Sequence, residues 1–331
     1  MSAKYQIACL LMLSTGLLAS KPQTFAQDAI FTSKPVLILE AGAGEGPTWH
    51  PELGLLTSGN GNINRYTRSQ ESLVYRKDAG SNGLLFDRSG RLIVCENRKR
   101  RITRTELDGT ITVLADSYAG SKFNQPNDLA IDSKNRIFFT DPQYGDRSGM
   151  EMLDRAGKPI EGVYRIDPDG KVSRIISHEV DRPNGLIITP DDQFLYLADN
   201  NNGPEGSRKL WRFKLNDNGT VTPGSQTLIH DWGTTRGPDG MKLDDKGRLY
   251  VAAGLNIANL PQETATQPTA GIYVFSPRGE LLTFCAIPRD ETTNCAFGDD
   301  DGKSLYVTAG GTLWKVRTAT AGSNLMSKRG N

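Results

Sequence analysis

Apolar and polar residues alternate along this chain in short runs, and six stretches carry nearly the same pattern. They read EGPTWHPELGLLTSG from Glu45, NGLLFDRSGRLIVCE from Asn82, NDLAIDSKNRIFFTD from Asn127, NGLIITPDDQFLYLAD from Asn184, DGMKLDDKGRLYVAA from Asp239 and NCAFGDDDGKSLYVTA from Asn294. Each opens on an oxygen-bearing residue, usually followed by Gly. An alternating apolar segment comes next, then a polar Asp/Gly turn and a second apolar run. Further β-rich runs follow, such as GVYRID, KLWRFKL and GIYVFS, bounded by Gly, Pro, Asp and Asn. No long window carries a helical period of apolar residues.

The first positions are 37, 45, 57, 55 and 55 residues apart. About fifty residues and near four strands per unit predict an all-β, six-bladed β-propeller. A sandwich or jelly roll is the alternative architecture, but it does not require six equivalent strand starts. The repeats run nearly end to end without a linker, so residues 27–331 are expected to form one propeller domain. The ring would be closed by the segment from Phe31 to Glu40 or by the tail after Gly311.

The first 26 residues read as a secretory signal peptide: Lys4, an apolar run from Ile7 to Ala19, and a small-residue cleavage site at Thr24-Phe25-Ala26. Cleavage there would leave 305 residues and, by removing Lys4 and Lys21, take the formal charge from +1 to −1. The expectation is an exported protein, periplasmic or secreted, with no membrane anchor after cleavage. A nearly neutral chain has no electrostatic case for nucleic acid. Cys95, Cys285 and Cys295 would remain, an odd number without CxxC spacing, which argues against a disulfide framework or a structural zinc. Cys95 reads as a buried small hydrophobe, and a Cys285–Cys295 bridge is left open.

In a propeller the innermost strand of every blade lines the central channel. If the repeated start precedes that strand, Glu45, Asn82, Asn127, Asn184, Asp239 and Asn294 converge at one channel mouth. All carry an oxygen acceptor and two are carboxylates, which suits one hard divalent cation: Ca²⁺ first, with Zn²⁺, Mn²⁺ or Mg²⁺ as alternatives. The competing reading is that Pro-Asn-Gly and Pro-Asp-Gly are ordinary turns in which Gly supplies a positive φ. Glu45 favours the metal, because Glu is a poor turn residue yet holds the same register.

At Gly44-Glu45-Gly46-Pro47-Thr48-Trp49, Pro126-Asn127-Asp128, Arg182-Pro183-Asn184-Gly185, Gly237-Pro238-Asp239-Gly240-Met241 and Thr293-Asn294-Cys295-Ala296-Phe297-Gly298 the chain resembles the SMP-30/gluconolactonase/LRE-like family of six-bladed propellers. The resemblance implies a divalent-metal-dependent hydrolase acting on a small-molecule lactone. It implies Glu45, Asn184 and Asp239 as metal ligands and Asn127 as a contact to metal, water or substrate. Asn82 and Asn294 are then orienting or turn residues. Some sugar-lactonase members carry Arg two residues before the Asn of the third motif, where this chain has Gln125. The segment from Thr140 to Gly145, TDPQYG, resembles a bacterial gluconolactonase-like branch.

The expected chemistry is attack of water on a metal-polarised ring carbonyl, with Asp239 steering or deprotonating that water. A serine triad is disfavoured by the absence of a GxSxG elbow and by only three histidines, His50, His178 and His230. His50 is read as structural with a minority water-activating reading, and His178 and His230 as exposed. Asp141 and Tyr144 are placed at the opposite mouth. Arg182 and Arg236 are read equally as substrate contacts or as salt bridges. Rival functions are a non-catalytic, metal-stabilised binding propeller and a related propeller esterase or organophosphate hydrolase.

Overall fold

The computed structural model describes residues 29–265 and 269–323. The expected signal peptide lies outside the described residues. Six four-stranded antiparallel sheets form the blades. Their inner strands are Glu45–His50, Leu84–Phe86, Leu129–Ile131, Pro183–Ile188, Pro238–Leu243 and Thr292–Gly298. No α-helix occurs among the described residues; a single 3-10 turn spans Asn97–Lys99. Both candidate closing segments are used. The last blade takes three strands from the C-terminal side, and Val36–Leu39 pairs antiparallel with Thr312–Arg317 as its outermost strand.

The burial pattern explains why the second run of each repeat reads as continuously apolar. Leu92–Glu96, Ile137–Asp141, Leu249–Ala253 and Ser304–Ala309 are buried at every position. Both faces of these strands pack against neighbouring blades. The outermost strand Ser72–Arg76 is mostly exposed instead. Six apolar clusters fill the six gaps between blades. In the gap between the last and first blades, Trp49 stacks on Tyr306 with ring centroids 5.7 Å apart. Such burial, at ~25 cal/mol per Å² of apolar surface, supplies the main drive for ring closure.

The polar turn of the repeat is built by its Asp. Asp87 Oδ1 accepts from the backbone N–H of Ser89 and Arg91, while Oδ2 holds the Arg91 guanidinium at 2.7 Å. Asp132 with Arg136, and Asp244 with Arg248, repeat the arrangement. This hairpin stands at the far mouth, so the second strand of each blade returns to the mouth where the inner strand began.

The loops after the second strands therefore stand around that first mouth. They are residues 60–61, 97–100, 142–161, 201–207, 254–265 with 269–270, and 310–311. The loops are longest in blades 3 and 5 and shortest in blades 6, 1 and 2. Deeper in, the channel is walled by Trp49, Phe86, Ile131, Ile188, Leu243 and Phe297. Cys95, Cys285 and Cys295 are buried free thiols, so the bridge left open does not form. No helix among the described residues is long and apolar enough to cross a membrane.

Candidate metal and substrate site at the channel mouth

Pairing between inner and second strands slips in four blades, between Glu45 and Thr48, Pro183 and Leu186, Pro238 and Met241, and Thr292 and Asn294. A bulge releases a residue from the ladder and redirects its side chain. Here the slips fall at Glu45, Asn184, Asp239 and Asn294, while Asn82 and Asn127 stand two residues before their strands.

The glycine that follows four of these residues, Glu45, Asn82, Asn184 and Asp239, has a different purpose from the one expected. Gly46 has φ +55°, but Gly83, Gly185 and Gly240 have no positive φ. A Cβ at Gly83 would stand 2.5 Å from the Asn127 carbonyl oxygen of the next blade. At Gly46, Gly185 and Gly240 it would overlap Asn82, Asp239 and Asn294 respectively. Gly83 N–H also donates to that Asn127 oxygen at 2.7 Å. These glycines let neighbouring blades bring their first residues together, which corrects the turn reading.

The side chains meet across the ring. Asn294 Nδ2 donates to Glu45 Oε2 at 3.0 Å and to Asp128 Oδ2 at 3.4 Å. Asp128 Oδ1 accepts from Leu129 N–H at 2.8 Å. Asp128 was not singled out in the sequence because it is not the first residue of its repeat; Asn127 is. The Asn127 backbone is bonded on both sides, its N–H donating to Thr140 O at 2.9 Å.

Electrostatics mark the cluster as short of positive charge. Burial, then the neighbouring Asp128, pushes Glu45 up to about 7. Burial, then Glu45 and Glu291, pushes Asp239 well above the carboxylate range. Burial also raises Asp128, partly offset by Lys242 on the inner strand of blade 5. Asp239 Oδ1 and Asn82 Oδ1 are buried with no hydrogen-bond partner. Buried orphan acceptors beside mutually repelling carboxylates fit a hard cation. No three His, Cys, Asp or Glu side chains among the described residues gather closely enough to hold an ion by themselves.

Tyr144 belongs to this mouth, contrary to expectation. Ile137–Asp141 is the second strand of blade 3 and runs antiparallel to Leu129–Ile131, so it ends beside the ring. The Tyr144 hydroxyl accepts from Asn184 Nδ2 at 2.9 Å and donates to Asn200 O at 3.3 Å. Tyr144 N–H donates to Gln125 Oε1 at 3.0 Å, so Gln125 holds the loop that carries the phenol. Burial and the adjacent Asp239 hold that phenol protonated. Asp141 ends the same strand, but its Oδ2 accepts from Asn124 N–H at 2.8 Å and supports the loop.

Both arginines near the ligands are in ion pairs. Arg182 bonds Glu161 at 3.1 Å and lies 5.2 Å over the Tyr144 ring. Arg236 pairs with Glu263 and Glu291. His50 sits at the end of its strand remote from Glu45, where Nδ1 accepts from the N–H of Glu52 and Leu53 at 3.1 and 3.3 Å. It organises a turn. His178 is exposed, as expected, and bonded to Asp154 at 3.0 Å. His230, by contrast, is half-buried rather than exposed: it lies on an outer strand, Thr227–Asp231, with its ring 4.5 Å from Trp232.

Fold and site together define a six-bladed propeller with a ring of carboxylate and amide oxygens at one channel mouth. The chain belongs to the SMP-30/gluconolactonase/LRE-like family, whose model matches residues 43–311. It is 32% identical over 255 residues to a gluconolactonase of Zymomonas mobilis, covering 74% of this chain and 65% of that protein. The chain thus spans less than two thirds of that relative. A solved gluconolactonase structure from Xanthomonas campestris superposes with TM-score 0.70 at 28% identity, covering 86% of this chain and 89% of that one. A calcium-binding regucalcin from Agrobacterium tumefaciens shares the fold, with TM-score 0.67 at 16% identity over 89% of this chain and 96% of that one.

Proposed function

We propose that this protein is a divalent-metal-dependent lactonase that opens a sugar lactone. The observation that carries the reading is the buried, partnerless Asp239 Oδ1 in a ring where Asp128 raises the proton affinity of Glu45 and Glu45 that of Asp239. Glu45, Asn184 and Asp239 would hold one cation, with Ca²⁺ favoured by the all-oxygen set. The calcium-binding description of the Agrobacterium neighbour and the gluconolactonase names of the other two relatives support this reading. Export to the periplasm or medium through residues 1–26 is part of the same proposal.

When bound, the cation would act as a Lewis acid on the lactone carbonyl. Asp239 orients the attacking water and accepts its proton at Oδ1. Asn127, buried in the ring next to Asp128, would orient water or substrate. The water oxygen forms a bond to the carbonyl carbon and the ring C–O bond breaks. The departing alkoxide takes a proton, and the product is the open hydroxy acid. Tyr144, kept neutral, fixes the Asn184 amide throughout.

The test is hydrolysis of a panel of sugar lactones, aryl esters and organophosphates above the spontaneous rate, with Ca²⁺, Mn²⁺, Zn²⁺ or Mg²⁺ and after chelation. Lactone turnover lost on chelation and restored by the ion supports the proposal. Turnover confined to esters or phosphotriesters points to the esterase reading, and no turnover with any ion to the binding propeller.

A further inference from the structure

Arg98 stands apart from every other cation of its run. In the segment from Asn97 to Arg101, Lys99 and Arg101 converge on Glu96 at 3.7 and 2.7 Å, and Arg100 pairs with Glu151 at 2.9 Å. Arg76 reaches the same Glu96 at 2.9 Å. Arg98 has no carboxylate within 4.0 Å and no side-chain hydrogen bond among the described residues.

Its side chain is nevertheless placed. The backbone N–H of Arg98 donates to Gly80 O at 3.1 Å. A Cβ at Gly80 would meet the Arg98 stem at 2.8 Å, and one at Gly61 would meet Nη1 at 3.1 Å. Two glycines thus leave the groove in which the guanidinium lies. That groove opens into a pocket of about 320 Å³ lined by Glu45, Ser58, Ser81, Asn82, Asn97 and Arg98. It occupies the low side of the mouth, over blades 1 and 2, where the loops are two and four residues long. Ser58 already bonds Ser81 and the Asn82 carbonyl at 2.7 and 2.6 Å. In this pocket the Arg98 guanidinium has no bonded partner among the described residues, and Asn82 Oδ1 is buried without one.

We infer that the lactone taken by this site bears an anionic substituent, a carboxylate, phosphate or sulfonate, which Arg98 binds while the ring carbonyl faces the Glu45–Asp239 side. This rests on the lactonase reading above. An unpaired guanidinium offers an anion a two-pronged, charge-assisted contact. The charges of Arg182 and Arg236 on the opposite wall are already met by glutamates. Close to the carboxylates of the ring, a substrate anion needs a cation of its own, and Arg98 supplies it.

The experiment compares D-glucono-1,5-lactone with D-glucaro-1,4-lactone, which carries a free carboxylate, on the Ca²⁺-loaded protein and its Arg98→Gln variant. The expected result is a higher kcat/KM for the anionic lactone that falls at least tenfold in Arg98→Gln, through KM, while the neutral lactone changes less than twofold. Preference for the neutral lactone, or an equal loss on both, overturns the inference. If neither lactone is hydrolysed, the lactonase reading fails separately, and calorimetric binding of glucarate decides. Binding lost in Arg98→Gln but kept in Arg88→Gln, at the far mouth, upholds the anion site; binding that is absent or indifferent to Arg98 overturns it.

Discussion

Asn184 donates its Nδ2 to the hydroxyl of Tyr144 at 2.9 Å, and this bond fixes which way the Asn184 amide points. The Tyr144 proton is committed to the Asn200 carbonyl, which can only accept. The phenol oxygen must therefore accept from Asn184, and Asn184 Oδ1 is left as the acceptor on the other side of the amide. Groups that orient a metal ligand in this way commonly change affinity by about 10–100-fold when removed.

Tyr144→Phe keeps the ring and deletes the hydroxyl. The variant should bind Ca²⁺ about tenfold more weakly by calorimetry, with the Tm of the metal-free protein moved by less than about 2 °C. Unchanged affinity would show that Asn184 needs no such support.

Asp239→Ala should abolish metal-dependent lactone hydrolysis; full activity would sink the assignment. Asp239→Asn separates binding from folding. It removes a buried carboxyl that burial and Glu45 make costly to ionise, so at pH 8 the metal-free Tm should rise by about 2–4 °C while Ca²⁺ no longer stabilises the protein. A thermal melt with and without Ca²⁺ reads both effects.

The ring also dictates a pH response. Glu45, raised to about 7, keeps its proton in the folded metal-free protein at pH values where the unfolded chain has lost it. That stabilisation is complete below the ordinary value of 4.5 and disappears as pH rises through about 7. Asp239, also raised, acts in the same direction. Cation binding requires the ionised carboxylates, so Ca²⁺ affinity should climb about tenfold per pH unit for each proton released. Titrations at pH 6, 7 and 8 test this, and a flat affinity would contradict it.

Gly185→Ala places a methyl group on the Asp239 carbonyl, and Gly240→Ala places one on Asn294. Each should cost about 2–4 kcal/mol in urea unfolding, as overpacking does when the neighbour is backbone or a fixed side chain. Gly149→Ala, with open space around it and no positive φ, should change stability by less than about 1 kcal/mol.

The local pattern carried the architecture far. The six repeat starts from Glu45 to Asn294 marked six inner strands, and the Asp turns at Asp87, Asp132 and Asp244 formed as hairpin turns. Glu45, Asn184 and Asp239 were legible for the same reason: each is the first residue of a repeat, and equivalent residues of a ring must converge. Asp128 and Tyr144 were not legible. Asp128 lies one residue after its repeat start, and Tyr144 comes back to the mouth only because its strand pairs antiparallel with the inner one. His230 misled because its polar neighbours in sequence are not its neighbours in space, which are Trp232 and Phe275.

Sequence by itself determined six blades, the oxygen chemistry of the ring and the family. Those depend on periodicity and residue type, which are local properties. The tertiary structure decided that Val36–Leu39 and Thr312–Arg317 close the last blade together, and that Gly46, Gly83, Gly185 and Gly240 serve close approach between blades. It also decided that Arg182 and Arg236 are paired while Arg98 is not. Each of these is a distance between segments far apart in the chain, set by how the blades pack, and no run of neighbouring residues encodes it alone.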